Sequence, residues 1–143
     1  MRRIRIVVAY DGTNYCGWQI QPNGITIEEI LNRQISKLTG EDIRIIGASR
    51  TDSGVHALGN VAVFDTESRI PGDRFAYALN QKMPEAIVIV RSDEVQIDWH
   101  QRYQNEISKT YEYHIYNAMV INQHKNRYST FVSSDVDVEQ MRK

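Results

Sequence analysis

An α+β fold, an antiparallel sheet covered on one face by two helices, is predicted by three observations. These are an alternating apolar run at the N-terminus, two helix-period stripes at residues 26–40 and 71–84, and short β-branched runs between and after them. Ile4, Ile6, Val8 and Tyr10 alternate with Arg3, Arg5, Val7 and Ala9, the period of a strand with one face committed to a core. Turn formers follow, Asp11-Gly12-Thr13-Asn14 and Gln21-Pro22-Asn23-Gly24, enclosing an aromatic patch from Tyr15 to Trp18. Thr26 and Glu29 make a capping box, Ile27, Ile30, Leu31, Ile35 and Leu38 share one face, and Gly40 suits the C-terminal cap. A helix is expected between them.

Ile43 to Ala48 reads as a second strand, and Asn60 to Thr66 as a third with β-branched content around Val61 and Val63. Pro71 suits an early helix position, and Phe75, Ala78, Leu79 and Met83 repeat at helical spacing up to Pro84. Ile87 to Arg91 is a short apolar strand, and Ser108 to Tyr116 another, with Tyr111, Tyr113 and Ile115 on one face; from Asn117 onward the chain is polar and poorly patterned. The order strand, helix, strand, strand, helix, strand is that of a split βαβ, ferredoxin-like antiparallel sheet, with helices on one face and the other open toward an RNA cleft. Such a fold hosts many functions, so function has to be read from the site.

A length of 143 residues suits one compact domain or one lobe of a larger enzyme. With 41% hydrophobic and 24% charged residues the composition is that of a folded globular protein rather than a disordered chain. A formal charge of -1 and a pI near 6.4 exclude a global positive field, so RNA binding has to come from a local basic surface. Arg2, Arg3, Arg5, Arg102 and Lys109 are the phosphate-contact candidates. The single cysteine, Cys16, excludes an internal disulfide and any multi-cysteine metal site, and favours a reducing compartment. Neither the apolar core of a signal peptide nor a run long enough to span a bilayer follows the basic start, so a cytoplasmic protein without a membrane partner is expected.

The chemistry-bearing segment is Gly47-Ala48-Ser49-Arg50-Thr51-Asp52-Ser53-Gly54-Val55-His56-Ala57, a loop between two strands. It reads in two ways. Thr51 to Gly54 can be a hairpin turn, with Asp52 bonding nearby N–H groups and Arg50 in a surface ion pair. Alternatively the small residues let a large ligand approach while Arg50 and Asp52 are presented into one cleft. Tyr15, Trp18 and Gln19 likewise either touch RNA or plug a domain edge. His56 reads as structural, because no second histidine stands at metal-site spacing.

This segment resembles the active-site loop of the TruA family of transfer RNA pseudouridine synthases, usually Gly-Ala-Gly-Arg-Thr-Asp-Ala-Gly-Val-His-Ala, and differs only at the small residues Ser49 and Ser53. Tyr10-Asp11-Gly12-Thr13 through Tyr15, Gly17-Trp18-Gln19 and Gln21 is similar to the family's opening motif, Leu79-Asn80 with Pro84 and Ile87 to its middle, and Lys109-Thr110-Tyr111-Glu112-Tyr113 to its later strand. The resemblance implies isomerisation of uridine to pseudouridine in the anticodon stem-loop of transfer RNA, around positions 38 to 40, with no cofactor and no metal. It implies Asp52 as the catalytic carboxylate, Tyr111 stacked on the substrate base, and Arg50 contacting RNA and filling the space of the flipped uridine. It also implies a homodimer with transfer RNA, not DNA, as partner. Family members run on into a second, similar lobe that supplies a partner arginine; residues 1–143 are therefore expected to be the N-terminal catalytic lobe, with the C-terminal lobe absent from this chain.

The implied reaction breaks the N1–C1′ bond, turns the uracil and rejoins it through C5, for which a carboxylate acts either as nucleophile or as base. A stacked uridine is out of reach and has to be everted first. Two other readings remain open at this point: a noncatalytic RNA-binding module using the open sheet face, and a metal-dependent hydrolase using Asp11, Asp52 and His56.

Overall fold

The computed structural model describes residues 1–99, together with the backbone of residues 115–117 and 130–132. The chain divides into two compact units, Met1–Ile107 and Ser108–Lys143. In the first, β1 (Arg2–Tyr10), α1 (Ile27–Thr39), β2 (Ile46–Gly47), β3 (Ala57–Thr66), α2 (Phe75–Asn80) and β4 (Ile87–Val95) follow in that order. The sheet order is β2-β3-β1-β4 with every pair antiparallel, the ferredoxin-like α+β arrangement that the sequence predicts. In the second unit, β5 (Ile115–Asn117) and β6 (Thr130–Val132) pair in parallel.

The core lies between the sheet and the helices, because the inward row of β1, Ile4, Ile6, Val8 and Tyr10, is buried with Ile27, Leu31 and Ile35 of α1, Phe64 of β3, Phe75 and Leu79 of α2 and Ile89 of β4. Phe64 and Phe75 meet edge to face at 5.3 Å. α1 has its expected ends: the Thr26 hydroxyl accepts from the Glu29 N–H, and the Gly40 N–H returns to Ser36 O.

Four elements differ from expectation, the first being β3, which begins at Ala57 rather than Asn60. Only Ile46 and Gly47 of the predicted second strand pair with β3, because the Ile43 and Ile45 N–H groups are taken by the Ser36 hydroxyl and the Asn32 carboxamide of α1. The predicted helix from Pro71 to Pro84 shortens to a 3-10 turn, Gly72–Arg74, and the six residues of α2. Side chains clamp both ends of this helix to β4. Ser92 accepts from the Ala76 N–H and donates to Gly72 O, while Asn80 exchanges two bonds with the Ile89 backbone at 2.8 and 2.9 Å. β4 runs on past Arg91 to Val95, since Asp93 and Glu94 still pair with Arg5 and Ile4.

The arginines of β1 also correct an expectation. Arg3 forms a two-pronged pair with Asp65, and Arg5 one with Asp93, while Arg2 bonds Glu94 and the carbonyls of Ser68 and Ile70. Cross-strand carboxylates neutralise Arg3 and Arg5 on the open sheet face, while Arg2, on the helix side over the Phe75 ring, is paired there, so these three side chains expected to meet phosphate leave no net basic patch. Arg102 and Lys109 lie outside the described residues.

The two faces of the sheet should respond differently to truncation. Phe64→Ala is expected to lower unfolding free energy by about 3–5 kcal/mol, whereas Val90→Ala, on a side chain left 54% exposed, should stay within about 0.5 kcal/mol. Urea unfolding of both variants checks this.

Candidate active site

Residues 48–56 join β2 to β3 and rest on the segment that leaves β1, so two loops remote in sequence form one platform. The contacts are mostly to the backbone. Thr51 O accepts the Trp18 N–H at 3.0 Å, Tyr15 O accepts from both the Gly54 N–H and the Ser53 hydroxyl at 3.2 Å, and the Gly12 N–H donates to His56 Nδ1 at 3.0 Å. Gly17 makes this approach possible: its φ is +84°, and a Cβ there would stand 2.7 Å from Thr51 O. The loop enters from Ala48, whose N–H bonds Val61 O at 2.7 Å.

Asp52 opens a turn closed by the Val55 N–H on Asp52 O at 3.1 Å, with Gly54 at a φ of +80° in the third position, where a left-handed residue is required. The hairpin-turn reading is therefore correct for the backbone. It is not correct for the side chain: among the described residues, none bonds or ion-pairs with the Asp52 carboxylate, which is exposed. Between the two exposed residues Arg50 and Asp52, Thr51 turns inward, and its hydroxyl lies 2.7 Å from the Tyr10 hydroxyl. Alternation about this anchored threonine leaves the guanidinium and the carboxylate both on the solvent side.

Beside the loop, Trp18 is 1% exposed, lies 6.0 Å from the Tyr10 ring and packs on Gly47. Of the two readings offered for the aromatic patch, Trp18 is the plug. Tyr15 packs against the core at partial burial, which pushes its phenol up from the ordinary value, while Gln19 is exposed. Glu28, in the first turn of α1, is half-buried; burial pushes its carboxyl up, opposed by the positive charge of Arg50 and by a hydrogen bond from the Trp18 indole. Arg50 thus acts electrostatically on the helix as well as facing solvent.

His56 Nδ1, which accepts from Gly12, is also 3.2 Å from Asp11 Oδ1 and so ties the end of the loop to the exit of β1. Among the described residues no three His, Cys, Asp or Glu side chains gather as metal ligands would. A groove of about 250 Å³ lies away from this loop, between α1 and α2, lined by Gln34, Lys37, Leu38, Ala78, Leu79 and Lys82. Tyr111 lies outside the described residues.

Sequence reasoning overlooked Tyr10 and Asn60 as site residues. Both are buried, and Asn60 donates to Ser49 O at 2.9 Å and to the Tyr10 oxygen at 3.4 Å. Their signal is present in the pattern: each is a polar group next to apolar residues of an inward row, Tyr10 after Val8 and Asn60 before Ala62 and Phe64.

The fold and loop together describe an α+β protein whose carboxylate is held out on a braced strand-to-strand loop. A family model described as tRNA pseudouridine synthase matches residues 6–104, more than half of the chain. The chain is 48% identical over 143 residues to tRNA pseudouridine synthase A of Ruminiclostridium cellulolyticum, covering 100% of this chain and 58% of that protein. To the protein of the same name from Acetivibrio thermocellus it is 49% identical over 143 residues, again 58% of the relative. With that of Caldicellulosiruptor saccharolyticus it shares 50% over 117 residues, 82% of this chain and 48% of the relative. The chain belongs to the tRNA pseudouridine synthase family, and it spans about half the length of these relatives.

If Arg50 holds the Glu28 carboxyl down, Arg50→Ala should let it rise further. An NMR titration of Glu28 in both forms measures this, and coincident curves would disprove the coupling.

Proposed function

We propose that this chain carries the catalytic carboxylate for isomerising uridine to pseudouridine in the anticodon stem-loop of transfer RNA, around positions 38 to 40, with Asp52 as that group. The observation that carries the reading is the exposed Asp52 carboxylate, which no described residue bonds, set in a family-matching loop whose backbone is braced by Trp18, Tyr15 and Gly12. A carboxylate already satisfied by neighbouring N–H groups would have to lose those bonds before it met substrate; this one does not.

The atoms balance within one nucleotide. The N1–C1′ bond breaks, C5 bonds to C1′, the C5 proton leaves and N1 regains a proton, so the change is redox-neutral and calls for no cofactor. Asp52 serves as nucleophile or as base. Eversion of the uridine costs a few kcal/mol, and a stacking partner offsets about 1–3 kcal/mol of it; Tyr111 is assigned that role. Arg50 is assigned to the RNA strand beside the everted base, where an arginine bonds phosphate or stacks. Residues 1–143 serve as the aspartate-bearing lobe, with the rest of the cleft and a second cation from a further C-terminal lobe. A cytoplasmic homodimer gripping one transfer RNA completes the proposal, supported by the lone cysteine and the family resemblance.

Asp52→Asn in the full-length enzyme is expected to abolish pseudouridine formation on unmodified transfer RNA while folding and RNA binding persist. Turnover near that of the parent would remove Asp52 from the chemistry. Unchanged turnover of the parent in chelator is expected, and loss there would favour the metal-dependent reading instead.

A further inference from the structure

We propose that Tyr10 and Asn60 are positioning residues, which set the place of the Asp52 carboxylate through Thr51 without touching substrate. This rests on the reading of Asp52 as the catalytic group. Tyr10 is 4% exposed and Asn60 6%, and each stands at the end of a row facing the core. A buried polar group left without a partner costs about 1–3 kcal/mol, and both find partners in the loop that bears Asp52.

Asn60 Nδ2 donates to Ser49 O at 2.9 Å and to the Tyr10 oxygen at 3.4 Å, and the Tyr10 and Thr51 hydroxyls share a hydrogen bond at 2.7 Å in which either oxygen can be the donor. Thr51 is also gripped through its carbonyl by the Trp18 N–H at 3.0 Å. Arg50 is therefore bracketed by two anchored residues, Ser49 and Thr51, and Asp52 follows directly on the second. Since no described residue bonds the Asp52 carboxylate, its location is inherited from the backbone at Thr51 and from the turn it opens.

A β-bulge supports the same arrangement. Val8 pairs with Asn60 but Tyr10 with Ala57, so Leu58 and Gly59 together face Ala9, and Leu58 is 92% exposed. Asn60 is inward by alternation with Ala62 and Phe64, opposite Val8 and within reach of Tyr10, and the extra residue falls just beyond it, where the ladder resumes with Ala57 opposite Tyr10. Bulges of this kind re-aim side chains next to functional sites.

Tyr10→Phe removes one oxygen and keeps the ring against Trp18; Thr51→Val removes the hydroxyl at nearly constant shape; Thr51→Ser keeps it. In the full-length enzyme, Tyr10→Phe and Thr51→Val should lower the single-turnover rate at saturating transfer RNA by about 10- to 100-fold, with RNA affinity unchanged. Thr51→Ser should restore the rate. Hydrogen exchange of the Trp18, Gly54 and Val55 amides should quicken in the two impaired variants, while that of Ile6 and Phe64 in the sheet stays as in the parent. Parent-like rates and exchange in Tyr10→Phe and Thr51→Val, or equal loss in Thr51→Ser and Thr51→Val, would overturn the proposal. An active Asp52→Asn enzyme would sink the catalytic reading alone, with loop exchange still deciding whether Tyr10 and Asn60 hold the loop.

Discussion

β1 is hydrogen-bonded on both sides, to β3 and to β4, and its inward row of Ile4, Ile6, Val8 and Tyr10 is the surface on which both helices pack. Removing apolar area of this kind from water, at roughly 25 cal/mol per Å², is what offsets the entropy of ordering the chain. Everything else takes its position from this strand. α1 lies on the row directly, α2 is clamped to β4 by Ser92 and Asn80, and the last member of the row, Tyr10, reaches out of the core to the loop that carries Asp52.

Structural and chemical charges are separated along that strand. At its start, arginines are paired with carboxylates on both neighbouring strands, Arg3 and Arg5 on the open face and Arg2 on the helix side, so their charges are neutralised within the sheet. At its end, Arg50 and Asp52 stand exposed on a loop whose backbone bonds are satisfied by the segment after β1. A hydrogen-bonded backbone whose Asp52 side chain no described residue bonds suits chemistry on a large substrate, because the group is located in advance and is not held by those neighbours.

Much of this was legible in the sequence. The alternation in β1, the Thr26 cap with its Gly40 stop and the glycine-bounded loop at Asp52 are local signals, fixed by residue type and spacing, and they appear as read. Where a side chain remote in sequence competes for a backbone group, local reading failed. Asn32 and Ser36 take the donors that would have extended β2, and Asn80 ends α2 well before Pro84. The strand expected from Ser108 to Tyr116 overlaps β5 at Ile115 and Tyr116, residues 108–114 lying outside the described residues, while β6 was missed because a three-residue strand shows no usable period.

The sequence by itself determined the element order, the family and the identity of the candidate carboxylate, since these depend on which residues occur and how far apart they are. Only tertiary structure decided that the β1 arginines are paired, that Trp18 is a plug, that Thr51 hangs from Tyr10 and that Asn60 holds Ser49. Those outcomes depend on contacts between segments 11 to 92 residues apart, set by strand pairing, and no local spacing encodes them.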